Sequence, residues 1–141
     1  MRINVSQELK MTKAADEKEV KKLMRKCLNL WKAVIKMFGG WKCEICGSTK
    51  RIQAHHIETY SVNKGLRYDI YNGVCLCSTC HKFGRFSVHR GFITIYDFMI
   101  LNRLNDISYL REQRKEKVEI TKEWLESNIN KLSQYETKKK N

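Results

Sequence analysis

Apolar residues recur at helical spacing in the first third of the chain, over about residues 16–38. They fall on one stripe, which is formed by Leu23, Cys27, Leu30, Trp31, Val34 and Phe38. Lysines and an arginine lie off this stripe, so the segment has one apolar face and one charged face. The pattern predicts a single helix that ends at Gly39-Gly40, because glycine commonly follows a helix C-terminus.

The helical spacing stops at Trp41, and short apolar segments alternate with polar ones as far as Gly91. Residues 52–57 and 74–76 each predict a strand, and residues 58–72 predict a polar loop between them. A short helix is predicted to begin within residues 77–81, with Ser78 as its N-cap. The predicted order is therefore strand, loop, strand, helix.

The last third of the chain returns to helical spacing. A helix is predicted over residues 97–104, and Asp106 is predicted to cap a second one that runs to residue 117. Thr121 is predicted to cap a last helix, whose apolar face carries Leu125, Ile129 and Leu132.

Four cysteines form two Cys-x2-Cys pairs thirty residues apart, Cys43 with Cys46 and Cys77 with Cys80. This spacing is typical of a tetrahedral zinc site in which sulfur fills every coordination position, so the site is structural. Gly47 follows the first pair and is expected to adopt a positive φ in the tight turn. A core of about fifty residues usually needs such a metal to hold it together.

The two remaining cysteines, Cys27 and Cys75, lie among apolar neighbours, and we expect them to be buried small hydrophobic residues. The first twenty residues contain no apolar segment of the kind found in secretory signals. We therefore expect a cytoplasmic, reducing environment, in which paired cysteines bind metal.

The chain has 28 Lys and Arg against 15 Asp and Glu, a formal net charge of +13. An excess of this size favours a polyanionic partner, most often nucleic acid, over an anionic membrane. No run of 18 apolar residues is present, so no membrane span is expected.

Three of the four histidines, His55, His56 and His81, belong to the core that the cysteines enclose. Neighbouring side chains on a strand point to opposite faces, so His55 and His56 are poorly placed to bind one ion together. Separate roles would resolve this, with one imidazole binding a metal and the other moving a proton.

These residues resemble the HNH endonuclease family. The resemblance covers residues 41–91 and is carried by His55-His56-Ile57, Asn72-Gly73 and Leu76-Cys77-x2-Cys80-His81, with Arg67-Tyr68-Asp69 before the second strand. It implies an α+β fold with a ββα-metal core over residues 41–91. A helical arm over residues 1–40 would precede the core, and a helical extension with a basic tail over residues 92–141 would follow it. Residues 83–89 and the helices after them are similar to phage and prophage members.

The resemblance also implies roles for individual residues. His56 would be the general base that deprotonates the attacking water, and Asn72 would hold the loop and the orientation of His56. His55 and His81 would bind one catalytic divalent cation. The expected reaction is hydrolysis of DNA phosphodiester bonds to a 5′-phosphate and a 3′-hydroxyl, in a bacterial host cell if the chain is phage-encoded.

Two departures from the family pattern affect the metal. His55 stands where many relatives have Asp, so the site should suit manganese, nickel or zinc better than magnesium. Arg85 stands where some relatives have a further histidine. His89 is a candidate replacement ligand if the chain turns back after Gly84, and a structural role for it is an equal alternative.

Basic side chains near these residues are candidates for a DNA-binding groove: Lys50, Arg51, Lys64, Arg67, Lys82, Arg85 and Arg90. Nearby aromatic residues are expected to pack in the core, with base stacking by a tyrosine as the alternative: Trp41, Tyr60, Tyr68 and Tyr71. A homodimer would be needed for a palindromic double-strand cut. Two rival functions fit the composition, a non-catalytic zinc-ribbon module that binds nucleic acid and a helical adaptor that binds proteins.

Overall fold

A two-stranded antiparallel hairpin lies between long helices from both ends of the chain. The computed structural model describes residues 4–61, 63–84, 87–90 and 92–138. Its main elements are α1 Val5–Phe38, β1 Ile52–His56, β2 Gly73–Cys77, α2 Phe92–Asn102, α3 Leu104–Gln113 and α4 Lys122–Lys138. A single turn of wide π-type helix, Thr79–Phe83, follows β2 directly. The α+β class and the strand–strand–helix order predicted from the sequence are confirmed.

Helix α1 begins earlier than the predicted residue 16. Asn4 caps it, since its side chain accepts a hydrogen bond from the Ser6 amide at 3.1 Å. The Gln7 side chain accepts one in return from the Asn4 amide at 3.3 Å. This reciprocal capping box starts a helix without tertiary contacts, which explains why the apolar stripe missed the first turns. The helix ends at Gly39 as predicted, and Gly40 adopts a φ of 65°.

The hairpin places successive residues of β2 in two different apolar clusters. Ile52 pairs with Cys77 and His56 pairs with Gly73 in an antiparallel register. Cys75 packs with α1 and α4 in a cluster that contains Cys27, Trp31, Val34, Ile35, Tyr68, Leu125, Ile129 and Leu132. Val74 and Leu76 pack on the other side in a cluster that contains Cys43, Cys77, Val88, Ile95 and Met99. Strand β2 is therefore buried on both faces.

The predicted caps have mixed outcomes. Thr121 does cap α4, since its hydroxyl accepts from the Trp124 amide at 3.1 Å. The prediction for Asp106 is wrong, because α3 already begins at Leu104 and Asp106 instead accepts from Arg103 Nε at 2.6 Å. Ser78 precedes the Thr79–Phe83 helix but makes no capping hydrogen bond. The predicted polar loop contains two short 3-10 turns, Lys64–Leu66 and Ile70–Asn72.

Cys27 and Cys75 are fully buried, as predicted. Burial raises the pKa of each thiol to about 11, so both remain protonated and act as small apolar groups. None of the helices in the described part of the chain is long and apolar enough to cross a membrane.

Candidate functional site

The two Cys-x2-Cys pairs converge at one end of the hairpin. The sulfurs of Cys43, Cys46, Cys77 and Cys80 all lie within 4.8 Å of one another. Cys46 Sγ and Cys77 Sγ are 3.6 Å apart, and two sulfurs bound to one zinc at about 2.3 Å lie about 3.8 Å apart. Since the donors are four thiols at this spacing, they fit a closed, structural zinc site.

Local backbone geometry builds each half of this cluster. The Cys43 amide donates to Ser48 O and the Gly47 amide donates to Cys43 O, both at 2.8 Å, which closes the first turn. Gly47 has the predicted positive φ, 77°. The Glu44 amide donates to Cys75 O at 2.8 Å, so the turn is joined to β2, whose last residue is Cys77.

The thiols in the cluster do not ionise alike. Burial raises the pKa of Cys80 well above its usual value, and hydrogen bonds with Cys46 and Cys77 raise it further. Burial of Cys43 opposes ionisation, but backbone hydrogen bonds to its sulfur outweigh burial and lower the pKa of Cys43 to about 7. Sulfurs this crowded resist carrying several negative charges together, and a divalent ion supplies the charge that relieves this resistance.

Three imidazoles form a second cluster at the hairpin. The ring nitrogens of His55, His81 and His89 lie within 4.8 Å of one another. His81 Nε2 and His89 Nε2 are 2.9 Å apart. Two imidazole nitrogens that bind one ion at about 2.1 Å lie about 3.0–3.4 Å apart. The three donors therefore fit a single divalent ion and leave other coordination positions for water or substrate.

His89 joins this cluster because the chain turns back after Gly84. The Val88 amide donates to Cys80 O at 2.8 Å, and the His89 amide donates to His81 O at 3.2 Å. The returning segment therefore runs beside the Thr79–Phe83 helix, at the distance that brings the two imidazoles together.

Gln53 orients His81 and was missed by the sequence analysis. Its side-chain oxygen accepts a hydrogen bond from His81 Nδ1, so the lone pair of neutral His81 lies on Nε2, facing His89. The available signal was strand periodicity, since Gln53 lies two residues before His55 on β1 and shares its face. A partner of this kind fixes the ring orientation of a metal-binding histidine.

His55 and His81 are neutral at physiological pH. Burial lowers the pKa of His55 to about 3 and that of His81 to about 4, and the neighbouring histidines add to both effects. Neutral imidazole is the form that binds metal, so His55 and His81 can bind a cation without losing protons.

His56 lies on the opposite face of β1 from His55, as strand alternation requires. Its ring stacks on Trp31 of α1, with centroids 3.9 Å apart and planes 4° apart. His56 Nε2 lies 2.7 Å from Arg67 O. A carbonyl oxygen only accepts, so Nε2 carries the proton and Nδ1 carries the lone pair. This is the tautomer that a base acting through Nδ1 requires.

The pKa of His56 is lowered from its ordinary value. Burial is the main cause, and the positive charges of Arg67 and Lys32 also lower it, while the hydrogen bond to Arg67 O opposes them. Lys32, on α1, therefore also influences His56, although it is not among the basic residues that the sequence suggested for DNA binding. Two cations beside the ring favour an anion there, as a phosphate group would be.

Asn72 is fully buried and ties the two ends of the loop together. Its oxygen accepts from the Glu58 amide at 2.7 Å, and its nitrogen donates to Glu58 O at 3.0 Å. The same nitrogen donates to Leu66 O at 2.9 Å. The next carbonyl along the chain, Arg67 O, accepts the hydrogen bond from His56 Nε2.

The predicted basic residues are not all placed alike. Lys50 and Arg51 are exposed just before β1, and Lys82 and Arg90 are exposed directly after His81 and His89. Arg67 is only half-exposed, with its Nε buried and unpaired. Arg85 lies outside the described residues.

Tyrosine side chains near the site also differ. The Arg67 guanidinium lies 4.4 Å above the Tyr60 ring, and Lys64 Nζ lies 5.7 Å above the same ring. Tyr68 is buried and packs in the core as expected. Trp41 and Tyr71 are about half exposed, so core packing does not account for their whole surface.

Residues 43–83 match the family model described as HNH endonuclease. This region of the chain is therefore similar to the HNH endonuclease family, which confirms the resemblance drawn from the sequence. It contains both cysteine pairs, His55, His56, Asn72 and His81, and it ends before His89. Searches of curated proteins and of solved structures found no significant match.

Proposed function

We propose that the protein is a divalent-metal-dependent endonuclease that hydrolyses DNA phosphodiester bonds. The observation that carries the proposal is that the two faces of β1 hold histidines in two different arrangements. Three imidazoles meet on one face, and two of them, His55 and His81, are neutral. A fourth imidazole, on the other face, has one nitrogen engaged and one lone pair free. The match of residues 43–83 to the HNH endonuclease model supports a nuclease function.

His56 is assigned as the general base. Its Nδ1 lone pair takes a proton from the attacking water while the water oxygen bonds to phosphorus. The bond from phosphorus to the 3′-oxygen breaks and this oxygen takes a proton from solvent water, so the products are a 5′-phosphate and a 3′-hydroxyl. Asn72 holds the loop that presents Arg67 O, and that carbonyl keeps the proton of His56 on Nε2.

His55 and His81 are assigned as ligands of the catalytic cation, with His89 as the third. When bound, the cation supplies positive charge that stabilises the scissile phosphate and the leaving oxygen. Three imidazoles and no carboxylate favour manganese, nickel or zinc over magnesium. The four cysteines are assigned to a separate structural zinc ion.

DNA is the proposed partner, and the exposed lysines and arginines are assigned to contact its phosphates. Their candidates within the described residues are Lys50, Arg51, Lys64, Arg67, Lys82 and Arg90. The helical segments over residues 1–40 and 92–141 would flank the core and extend the contact along a duplex. A role in phage or prophage DNA processing, in the host cytoplasm, rests on the family resemblance of residues 83–89 and the helices that follow.

The direct test is incubation of supercoiled plasmid with the purified protein and magnesium, manganese, nickel or zinc in turn, with and without chelator. Nicked or linear product that needs an added cation supports the proposal. The rival function, a zinc-ribbon module that binds nucleic acid, predicts retarded plasmid without cleavage under all four metals. That result would overturn the enzymatic assignment.

Replacement of the proposed base gives a sharper prediction. His56→Ala should lower cleavage about 10²- to 10⁴-fold, because that is the usual contribution of a general base. Zinc content and plasmid binding should not change, since neither the cysteines nor the basic surface is altered. The measurement is the single-turnover rate of nicking with saturating manganese.

Lys131→Ala on the exposed surface of α4 is the matched control and should cleave like the parent. A His56→Ala protein that nicks plasmid at the parental rate would refute the assignment of His56.

A further inference from the structure

We propose that Trp31, on a helix outside the family-matched region, is a positioning residue for His56. The inference rests on the proposed function, because it concerns the orientation of the base in that reaction. It makes α1 part of the active centre and not only a flanking arm. Trp31 is fully buried, and residue 31 lies before the matched residues 43–83.

The stacking contact restrains the plane of the base. The Trp31 and His56 rings are nearly parallel, 4° apart, at a centroid distance of 3.9 Å. A flat neighbour at this distance blocks rotation of the imidazole out of its plane. The strand then fixes the backbone of His56 by pairing it with Gly73.

Gly73 makes this contact sterically feasible. A side chain at residue 73 would overlap the Trp31 indole and the Ile35 side chain. The absence of a side chain directly across the hairpin from His56 lets α1 approach closely enough for the stack to form. Gly73 therefore has a packing role at the base in addition to ending the loop.

Trp31 also fixes the hydrogen-bond acceptor of the base. Its Nε1 donates to Asp69 O at 2.8 Å, two residues after Arg67. The Asp69 side chain in turn accepts from the Tyr71 amide at 2.8 Å and from the Tyr109 hydroxyl at 2.7 Å. The Trp31 indole thus makes two contacts that position the base. It stacks on the His56 ring, and it holds the segment that contains Arg67 O, the acceptor of the His56 hydrogen bond.

The loop is therefore tied down on both sides of Arg67. Asn72 binds Leu66 O at 2.9 Å, one residue before Arg67, and Trp31 binds Asp69 O. The carbonyl of Arg67 lies between these two attachments. Loss of the indole would remove both the attachment at Asp69 O and the stacking contact with the His56 ring. Nδ1 of His56 would then no longer point in a single direction.

The test is steady-state cleavage, with kcat and KM measured separately, by Trp31→Leu and Trp31→Phe proteins of full length. Trp31→Leu should lower kcat about 10- to 100-fold with KM changed less than about twofold, since misplacement of a base affects the transition state and not substrate binding. Trp31→Phe keeps an aromatic face and should restore kcat to within about fivefold of the parent. If Trp31→Leu melts below the assay temperature, Trp31→Met takes its place, because the unbranched methionine side chain adapts better to an irregular cavity.

Trp124→Leu is the matched control, since Trp124 packs against the same core cluster and its ring contacts Tyr68, whereas the ring stacked on His56 is that of Trp31. It should keep the parental kcat. A second measurement places Trp31→Leu in the His56→Ala background, where the residual rate should change less than about twofold if Trp31 acts through His56.

The proposal would be overturned by a folded Trp31→Leu protein with parental kcat. An equal loss of rate with and without His56 would also overturn it, because Trp31 would then act elsewhere. A parent protein that cleaves no DNA with any of the four metals would instead refute the proposed function, so the two failures are distinguishable.

Discussion

Individual histidines acquire different chemistry through the nitrogen that each one has engaged. His81 is held through Nδ1 by Gln53, so its lone pair on Nε2 faces the other imidazoles. His56 is held through Nε2 by Arg67 O, so its lone pair is on Nδ1. The residue type is the same, and the hydrogen-bond partner decides which nitrogen carries the lone pair, which suits His81 to the proposed role of metal ligand and His56 to that of base.

A residue-scale prediction concerns Gln53. Gln53→Ala should weaken binding of manganese or nickel about 10- to 100-fold, because His81 loses the partner that fixes its ring. Gln53→Glu keeps an oxygen acceptor and should retain the parental affinity or exceed it. Isothermal titration of the zinc-loaded protein measures both effects.

Gln113→Ala, at the end of α3, is the control for loss of a glutamine elsewhere. Equal metal affinity in Gln53→Ala and the parent would show that Gln53 does not support the ligand. The structural zinc should remain in all three variants, because none of them alters a cysteine.

At the scale of secondary-structure elements, the hairpin depends on contacts from outside itself. Each of its strands has five residues, and a two-stranded sheet of this size is marginal in water. Helices α1 and α4 cover one face of β2, while residues from the cysteine turn and α2 cover the other. A zinc ion held by the cysteine cluster would add a crosslink where the turn, the end of β2 and the following helix meet.

Removal of one cysteine tests that crosslink. Cys77→Ser should lose the structural zinc and lower the melting temperature by about 10 °C or more, because metal binding and folding of small zinc sites are coupled. Zinc content by mass spectrometry and thermal unfolding by circular dichroism are the measurements.

Cys27→Ser provides the comparison, since Cys27 lies in the α1–α4 core and outside the cluster. It should keep its zinc even where core packing costs some stability. A Cys77→Ser protein with unchanged zinc content and melting temperature would contradict a structural role for the cluster.

At the scale of the whole molecule, the net charge of +13 is carried by a surface that includes the neighbours of the site. Lys82 and Arg90 directly follow two of the clustered histidines in sequence and are exposed. Lys64 and Arg67 meet at Tyr60, in the loop that holds His56. Positive charge on both sides of the hairpin would attract a polyanion toward the site before any specific contact forms.

DNA affinity should therefore fall steeply with salt. If about four phosphates are contacted, the Kd should rise about 10²-fold between roughly 50 and 200 mM salt, because bound counterions are released on association. Fluorescence anisotropy with a labelled duplex and chelator present measures binding without cleavage.

The double variant Lys82→Ala with Arg90→Ala should reduce the slope of log K against log salt by about 2. Lys131→Ala should leave it unchanged. A slope near zero in the parent would exclude a phosphate-dominated interface.

Local spacing was sufficient to predict much of this protein. The cysteine pairs, the adjacent histidines and the apolar stripe of α1 are short-range patterns, and each implies its geometry within a turn or a strand. The cap predicted at Asp106 was wrong because α3 begins two residues earlier, at Leu104, whereas Ser78 does precede its helix but makes no capping hydrogen bond.

By itself, the sequence determined the class of fold, the four-cysteine cluster and the opposite directions of His55 and His56. Tertiary structure alone decided that His89 returns to His81, that Gln53 sets the His81 tautomer and that Trp31 stacks on His56. The reason is physical. A chelating turn or an alternating strand is set by backbone geometry over a few residues, whereas contacts between distant segments form only when α1, the loop and the hairpin pack together.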